Sequence, residues 1–142
     1  ELLTTHCTMV AIDMTHRRRP GNIDVKKLVQ CIHTAGRLVL ADISTCDEGV
    51  EAERIGVDAI STTMSGYTAY SRHLPGPDVK LVQELTQRVS IPVFAEGRIN
   101  TPDDIQLVMA AGAYAPIVGS AITRPQLITA KFTDSVREWS GL

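Results

Sequence analysis

The chain has 142 residues, 44% of them hydrophobic and 21% charged, with a net charge of −2; this is ordinary composition for one modest globular domain with a real core. That balance excludes the broad basic field that nucleic acid or an anionic membrane surface requires, because the only basic run is Arg17-Arg18-Arg19. No apolar run approaches the roughly 20 residues of a membrane span, no signal-peptide pattern is visible, and Cys7, Cys31 and Cys46 lack the spacing of a disulfide framework or zinc site, which points to a reducing cytoplasm.

The chain opens on "ELLTTHCTMV", which reads as a helix tail running into a strand and suggests a portion of a longer protein. The first buried strand is "MVAID" (9–13), ending at Asp13. Helical spacing follows over 22–35, with Ile23, Lys26, Val29 and Ile32 on successive turns and Leu28 beside them. Asn22 is the expected cap and Gly36 the expected stop. "LVLADI" (38–43) is the second strand and carries Asp42 near its end. A short helix over 47–55 precedes Gly56. "DAISTT" (58–63) is the third strand, closing on Thr62 and Thr63. Residues 77–89 hold Val79, Val82, Leu85 and Val89 on one stripe. "PVFAEG" (92–97) ends in Glu96 and Gly97. Thr101-Pro102-Asp103-Asp104 is a strong helix start, with a capping hydroxyl, proline at the first position and acids at the positive end; Gly112 stops that helix. "PIVGSA" (116–121) is the fifth strand, and a last helix covers about 125–139.

The strands are continuous apolar runs, as expected of strands buried on both faces. A β-α unit repeated about five times predicts an α/β fold of parallel strands with right-handed crossovers. Two architectures suit it. One is an open doubly wound sheet; the other is a portion of a (β/α)₈ TIM barrel, which takes about 250 residues when complete. Residues 1–142 then form one part of a single domain.

In both architectures ligands bind at the C-terminal strand ends, where this sequence places Asp13, Asp42, Thr62 with Thr63, Glu96, and Gly119 with Ser120. Asp13 and Asp42 have an alternative role as turn caps. Glu is a poor turn former and an unpaired buried charge is costly, so Glu96 is the sharper candidate. Gly97 and Gly119 let backbone N–H groups approach an anion, and loops after the last two barrel strands often hold phosphate. Arg98 and Arg124 supply charge beside them. GxGxxG, Walker A, HExxH and GxSxG patterns are absent, and His6, His16, His33 and His73 show no paired ligand spacing. The expectation is an enzyme with neither metal nor nucleotide cofactor that acts on a phosphorylated metabolite.

The stretches "AIDMTHRRRP" (11–20), "LADISTCDEGVEAERIGVDAISTTMSGYT" (40–68), "PVFAEGRINTPDD" (92–104) and "VGSAITRP" (118–125) resemble the N-acylmannosamine-6-phosphate 2-epimerases of bacterial sialic acid breakdown. The resemblance implies a (β/α)₈ barrel of which this chain supplies strands four to eight. It makes Glu96 one of two principal catalytic groups and Asp42 and Arg124 active-site residues. Substrate binding is expected of Ser65 of "TTMSGYT" along with Arg98, Gly97, Gly119 and Ser120. The other principal group is a lysine at the end of the third barrel strand, in a segment these residues do not contain. The substrate implied is a small phosphorylated amino sugar, with no cofactor, no metal, no nucleic acid and no membrane. The barrel is expected to be completed by an N-terminal half or by a second copy in a homo-oligomer. Two departures stand out: His-Cys-Thr at 6–8 where the family has Gly-Ala-Asp, and Pro116 at the expected start of the fifth strand. The competing readings are another phosphosugar barrel enzyme and a fragment or binder without catalysis.

Overall fold

The computed structural model describes residues 2–140. Its strands are β1 (Met9–Asp13), β2 (Leu38–Asp42), β3 (Ala59–Ser61), β4 (Val93–Glu96) and β5 (Ala115–Ile117), and its helices are α1 (Val25–Thr34), α2 (Cys46–Ile55), α3 (Val79–Thr86), α4 (Pro102–Ala110), α5 (Ser120–Thr123) and α6 (Pro125–Ser140). The strands pair in parallel in the order β1-β2-β3-β4-β5. A doubly wound sheet reverses its strand order at a switch point; this one does not, so the five units form an arc of barrel wall.

The register decides which side chains face where. Val10 pairs with Val39, Ala41 with Ile60, and Ile60 with Val93. Because side chains alternate along a strand, these residues and Ala95 share one face. That face is buried against Val29 and Ile32 of α1, Ala52 of α2, Leu81, Val82 and Leu85 of α3, and Val108 of α4. The opposite face carries Leu40, Phe94 and Ile117 and, toward the strand ends, Asp13, Asp42, Ser61 and Glu96. Asp13 lies in register with Asp42, Asp42 with Ser61, and Ser61 with Phe94, two residues before Glu96. The alternation that buries the core therefore gathers the polar strand ends on one inward face.

The helix starts follow local chemistry. Thr45 and Glu48 form a reciprocal capping box at α2, as do Thr101 and Asp104 at α4, and Asp78 caps α3 by accepting from the Leu81 amide. The cap of α1 is Asp24, which accepts from the Lys26 amide, and not Asn22. Pro20–Asn22 forms a separate 3₁₀ turn with Asn22 at φ 50, so Ile23 stands before the helix, exposed. Four strands are shorter than the sequence predicts, the third and the fifth the most. Thr62–Met64 leaves the third strand as a 3₁₀ turn, and β5 stops at Ile117 with Pro116 in its middle. Among the described residues no helix is long and apolar enough to cross a membrane.

Candidate active site

Glu96 is the last residue of β4, and both its backbone and its side chain are held. The Thr62 hydroxyl donates to the Glu96 carbonyl at 2.9 Å and accepts from its amide at 3.0 Å. The Glu96 Oε2 atom accepts from Ser61 Oγ at 3.0 Å and from Thr63 Oγ1 at 2.7 Å. The two hydroxyl oxygens lie 2.5 Å apart. β3 ends at Ser61, and Thr63, two residues on, keeps to the same side and reaches the same Glu96 oxygen as Ser61.

Thr63 Oγ1 also lies 3.1 Å from Asp42 Oδ1. Burial, with the Glu96 and Asp13 charges adding, pushes the Asp42 carboxyl up to about 6 against the lowering effect of the Thr63 hydrogen bond. A carboxyl raised above its unfolded value of about 3.9 is bound to its proton more tightly in the fold, so ionising it lowers stability as pH rises between those values. Asp42→Asn is therefore expected to stabilise the intact protein at about pH 8, with the gain vanishing below about pH 4. Urea denaturation at the two pH values checks this; equal gain at both refutes it.

Asp13 plays the capping role that the sequence left open. Its Oδ1 accepts from the Thr15 amide at 2.9 Å and the Thr15 hydroxyl at 2.6 Å. Arg17 pairs with its Oδ2, and Arg19 donates to its carbonyl. Burial works to raise the Asp13 carboxyl, but the Thr15 and Arg17 contacts outweigh it and hold the group below the ordinary range.

Glu96 and Thr63 open onto a cavity of about 590 Å³ lined also by Gly97, Arg98, Gly119 and Ser120, with Arg17, Met64, Tyr67, Ile99 and Ile117 completing the wall. Gly97 at φ 100 and Arg98 at φ 56 make two successive left-handed residues, a conformation natural to glycine and uncommon for arginine. The turn aims Arg98 across the β3–α3 loop, where its Nε donates to the Gly76 carbonyl at 2.9 Å and its Nη1 to the Ser65 carbonyl at 2.8 Å. Its guanidinium sits 5.9 Å from the Tyr67 ring centroid. Gly66 must be small for this, since a Cβ there would come 2.6 Å from Arg98 Nη1.

Two expected site residues lie elsewhere. Ser65 is 1% exposed and donates to Asp78 Oδ2 at 2.8 Å; it is not among the cavity-lining residues, because the turn at Thr62–Met64 rotates its side chain toward the cap of α3. Arg124 is exposed at the junction of α5 and α6, outside the cavity wall, because the chain turns away after the short α5. Conversely, Arg17 lines the cavity although the sequence shows it merely as part of a short basic run.

A further carboxylate, which the sequence does not single out, lies beneath the loops. Glu48 is 1% exposed. Its Oε1 accepts from the His16 amide at 2.8 Å and Tyr70 Oη at 2.6 Å, and its Oε2 from the Ser44 amide and hydroxyl, both at 2.7 Å, and the Thr45 amide at 3.1 Å. These donors come from the loops after β1, β2 and β3. The pattern Thr45-x-x-Glu48 was the available signal, since it is a capping box. No group of three or more metal-ligating side chains occurs among the described residues.

A sequential parallel sheet, helices on one face and carboxylates converging with hydroxyls at the C-terminal strand ends define part of a β/α-barrel protein with its site in the usual place. The chain belongs to the family described as "Putative N-acetylmannosamine-6-phosphate epimerase", which matches residues 1–138. Relatives bearing that description as a 2-epimerase include one from Clostridium perfringens (strain 13 / Type A), 53% identical over 137 residues covering 96% of this chain and 62% of the relative. Another, from Clostridioides difficile (strain 630), is 52% identical and covers 96% and 61%. The solved N-acetylmannosamine-6-phosphate 2-epimerase from Clostridium perfringens superposes with a TM-score of 0.90 at 54% identity, over 94% of this chain and 58% of that one. The chain thus spans about six-tenths of the length of the proteins it matches. A nitroalkane oxidase from Streptomyces ansochromogenes, 23% identical with a TM-score of 0.62 over 84% of this chain and 35% of its own, shares the fold alone.

Proposed function

We propose that the intact protein interconverts N-acetylmannosamine-6-phosphate and N-acetylglucosamine-6-phosphate by inverting C2. The observation that carries this reading is the Glu96 carboxylate, held by Ser61 and Thr63 at the wall of the cavity, with Asp42 behind it. Opening the sugar ring exposes a carbonyl at C1 and makes the C2 proton acidic. A base removes it, the enolate holds the electron pair, and a proton returns to the other face. Such groups work when positioned within hydrogen-bond reach and suitably tuned. In this reading Glu96 transfers the C2 proton, and the family's lysine, beyond these residues, serves the opposite face. The Gly97-Arg98 and Gly119-Ser120 turns take the phosphate, and Arg124, exposed between α5 and α6, is assigned to the substrate by the family resemblance alone. The chemistry calls for no metal or nucleotide. Free Cys7, Cys31 and Cys46 support a cytoplasmic setting, and the edges of β1 and β5 support completion of the barrel by further strands or by a second copy.

The test is to incubate the intact protein with N-acetylmannosamine-6-phosphate in deuterium oxide and follow C2 by proton NMR. The expected result is formation of the gluco epimer carrying solvent deuterium at C2. No epimer, under conditions where another sugar phosphate is converted, would overturn the reading.

A further inference from the structure

Arg98 carries a long side chain in a left-handed backbone conformation, at φ 56 directly after Gly97 at φ 100. Such a conformation is costly for any residue but glycine and persists where the surroundings impose it, commonly at ligand clamps. Here the surroundings are the β3–α3 loop. The Arg98 Nε and Nη1 atoms donate to the carbonyls of Gly76 and Ser65, so one planar group joins the two ends of that loop. Between those ends the loop is folded on itself, with the Gly66 amide donating to Ser71 Oγ at 2.9 Å.

Tyr67 is the side chain this strut presents. Its amide donates to the Met64 carbonyl at 3.0 Å, and its ring meets the Arg98 guanidinium. Of the three tyrosines it alone lines the cavity, and it is 63% exposed there. A sugar phosphate offers two kinds of surface to such a wall: an anion for N–H groups, and a carbon chain whose C–H bonds pack on an aromatic face. A rigid guanidinium can hold two carbonyls and a ring in one arrangement, whereas an ammonium is a point charge on a flexible stem.

We infer that Arg98 is a positioning residue: its side chain fixes the β3–α3 loop so that the Tyr67 ring packs against the carbon chain of the bound sugar phosphate, while the phosphate is left to backbone N–H groups of the glycine turns. The inference rests on the epimerase reading of this cavity.

The test uses the intact protein and measures KM and kcat for N-acetylmannosamine-6-phosphate, together with Ki for inorganic phosphate as a competitor. Arg98→Lys keeps the charge beside the anion and loses the planar fork. It is expected to raise KM about fivefold to tenfold, the size of one lost aromatic contact, with Ki for phosphate within about twofold of the unaltered value. Tyr67→Ala should raise KM to a similar degree, with kcat changed less than KM. Tyr67→Phe, which keeps the ring, should lie nearer the unaltered protein than Tyr67→Ala. The double variant Arg98→Lys/Tyr67→Ala should be no worse than Tyr67→Ala, because the two residues act through one contact. An unchanged KM in Arg98→Lys, a rise of KM and Ki together, or two KM effects that multiply would each overturn the inference while the epimerase reading stands. Should Arg98→Lys fail to fold, the exposed Tyr67 decides alone, and an unchanged KM in Tyr67→Ala overturns the inference. If the unaltered protein does not convert the substrate, the epimerase reading falls and this inference falls with it.

Discussion

Glu96→Gln in the intact protein is expected to lower kcat by on the order of 10²–10⁴, the range for a positioned acid–base group, with little change in KM or melting temperature. The side chain stays the same size but can no longer take a proton. The fold should tolerate this because Glu96 is half-buried on the inward face, outside the cluster that packs beneath α1–α4. Its backbone is latched by Thr62 independently of the carboxylate. The Ser61 and Thr63 hydroxyls can each donate to the remaining amide oxygen or turn to accept from the amide nitrogen. Glu96→Asp is expected to fall between, since a chain one methylene shorter draws the carboxylate back from Thr63. Steady-state kinetics with a thermal melt on each variant decide the matter. Near-normal turnover in Glu96→Gln would remove the residue from the mechanism.

The parts of this site that depend on strand alternation were legible in the sequence, and those that depend on loop geometry were not. "MVAID", "LVLAD" and "VFAE" announce their strands, and an acid closing each run must face the side away from the helices once the apolar residues face toward them. Asp42 and Glu96 follow from that alone. Strand order could not be read, because barrel and doubly wound sheets share the same β-α rhythm; the observed order settles it. Asn22 and Asp24 are both good caps two residues apart, and the choice fell to the 3₁₀ turn that Pro20 and Gly21 begin. Ser65 and Arg17 show the same limit in opposite directions. A motif serine at a strand end is drawn inward by the Asp78 cap, and an arginine from an unremarkable basic run is aimed into the cavity by Asp13 and Thr15. In each case a partner distant in the fold, or a turn of one or two residues, sets the direction. Thr62 and Thr63 are adjacent and chemically alike. Thr62 latches the Glu96 backbone, while Thr63, on the side of Ser61, bridges the two carboxylates.

Glu48→Ala is expected to destabilise the intact protein by roughly 3–5 kcal/mol, the cost typical of removing one partner from a buried charged network. The loss has an identifiable source. Two backbone amides, those of Ser44 and Thr45, would be left without their acceptor, each costing about 1–3 kcal/mol if no water replaces it, while the His16 amide keeps the Tyr70 hydroxyl oxygen at 3.1 Å. The Ser44 and Tyr70 hydroxyls can rotate to find others, so they add less. Glu48→Gln should cost less than Ala. Its amide nitrogen can take the Oε1 place, where the Tyr70 hydroxyl turns to accept and the His16 amide alone is opposed. The charge matters as well. Burial works to raise the Glu48 carboxyl, but hydrogen bonds from Tyr70, His16 and Ser44 outweigh it and hold the group below its ordinary value. A carboxylate depressed in the fold stabilises it above the unfolded pKa of about 4.3, and that contribution is lost as pH falls through the folded value. The gap between the unaltered protein and Glu48→Gln should therefore be full at neutral pH and narrow in acid. The loops released by Glu48→Ala carry Arg17 and Thr63 to the cavity, so turnover should drop at temperatures where the variant is still folded. Urea denaturation of both variants at about pH 7 and about pH 3, with kcat measured well below the midpoint, tests the whole chain of reasoning. A Glu48→Ala protein as stable and as active as the unaltered one would show that the three loops hold their places without this carboxylate.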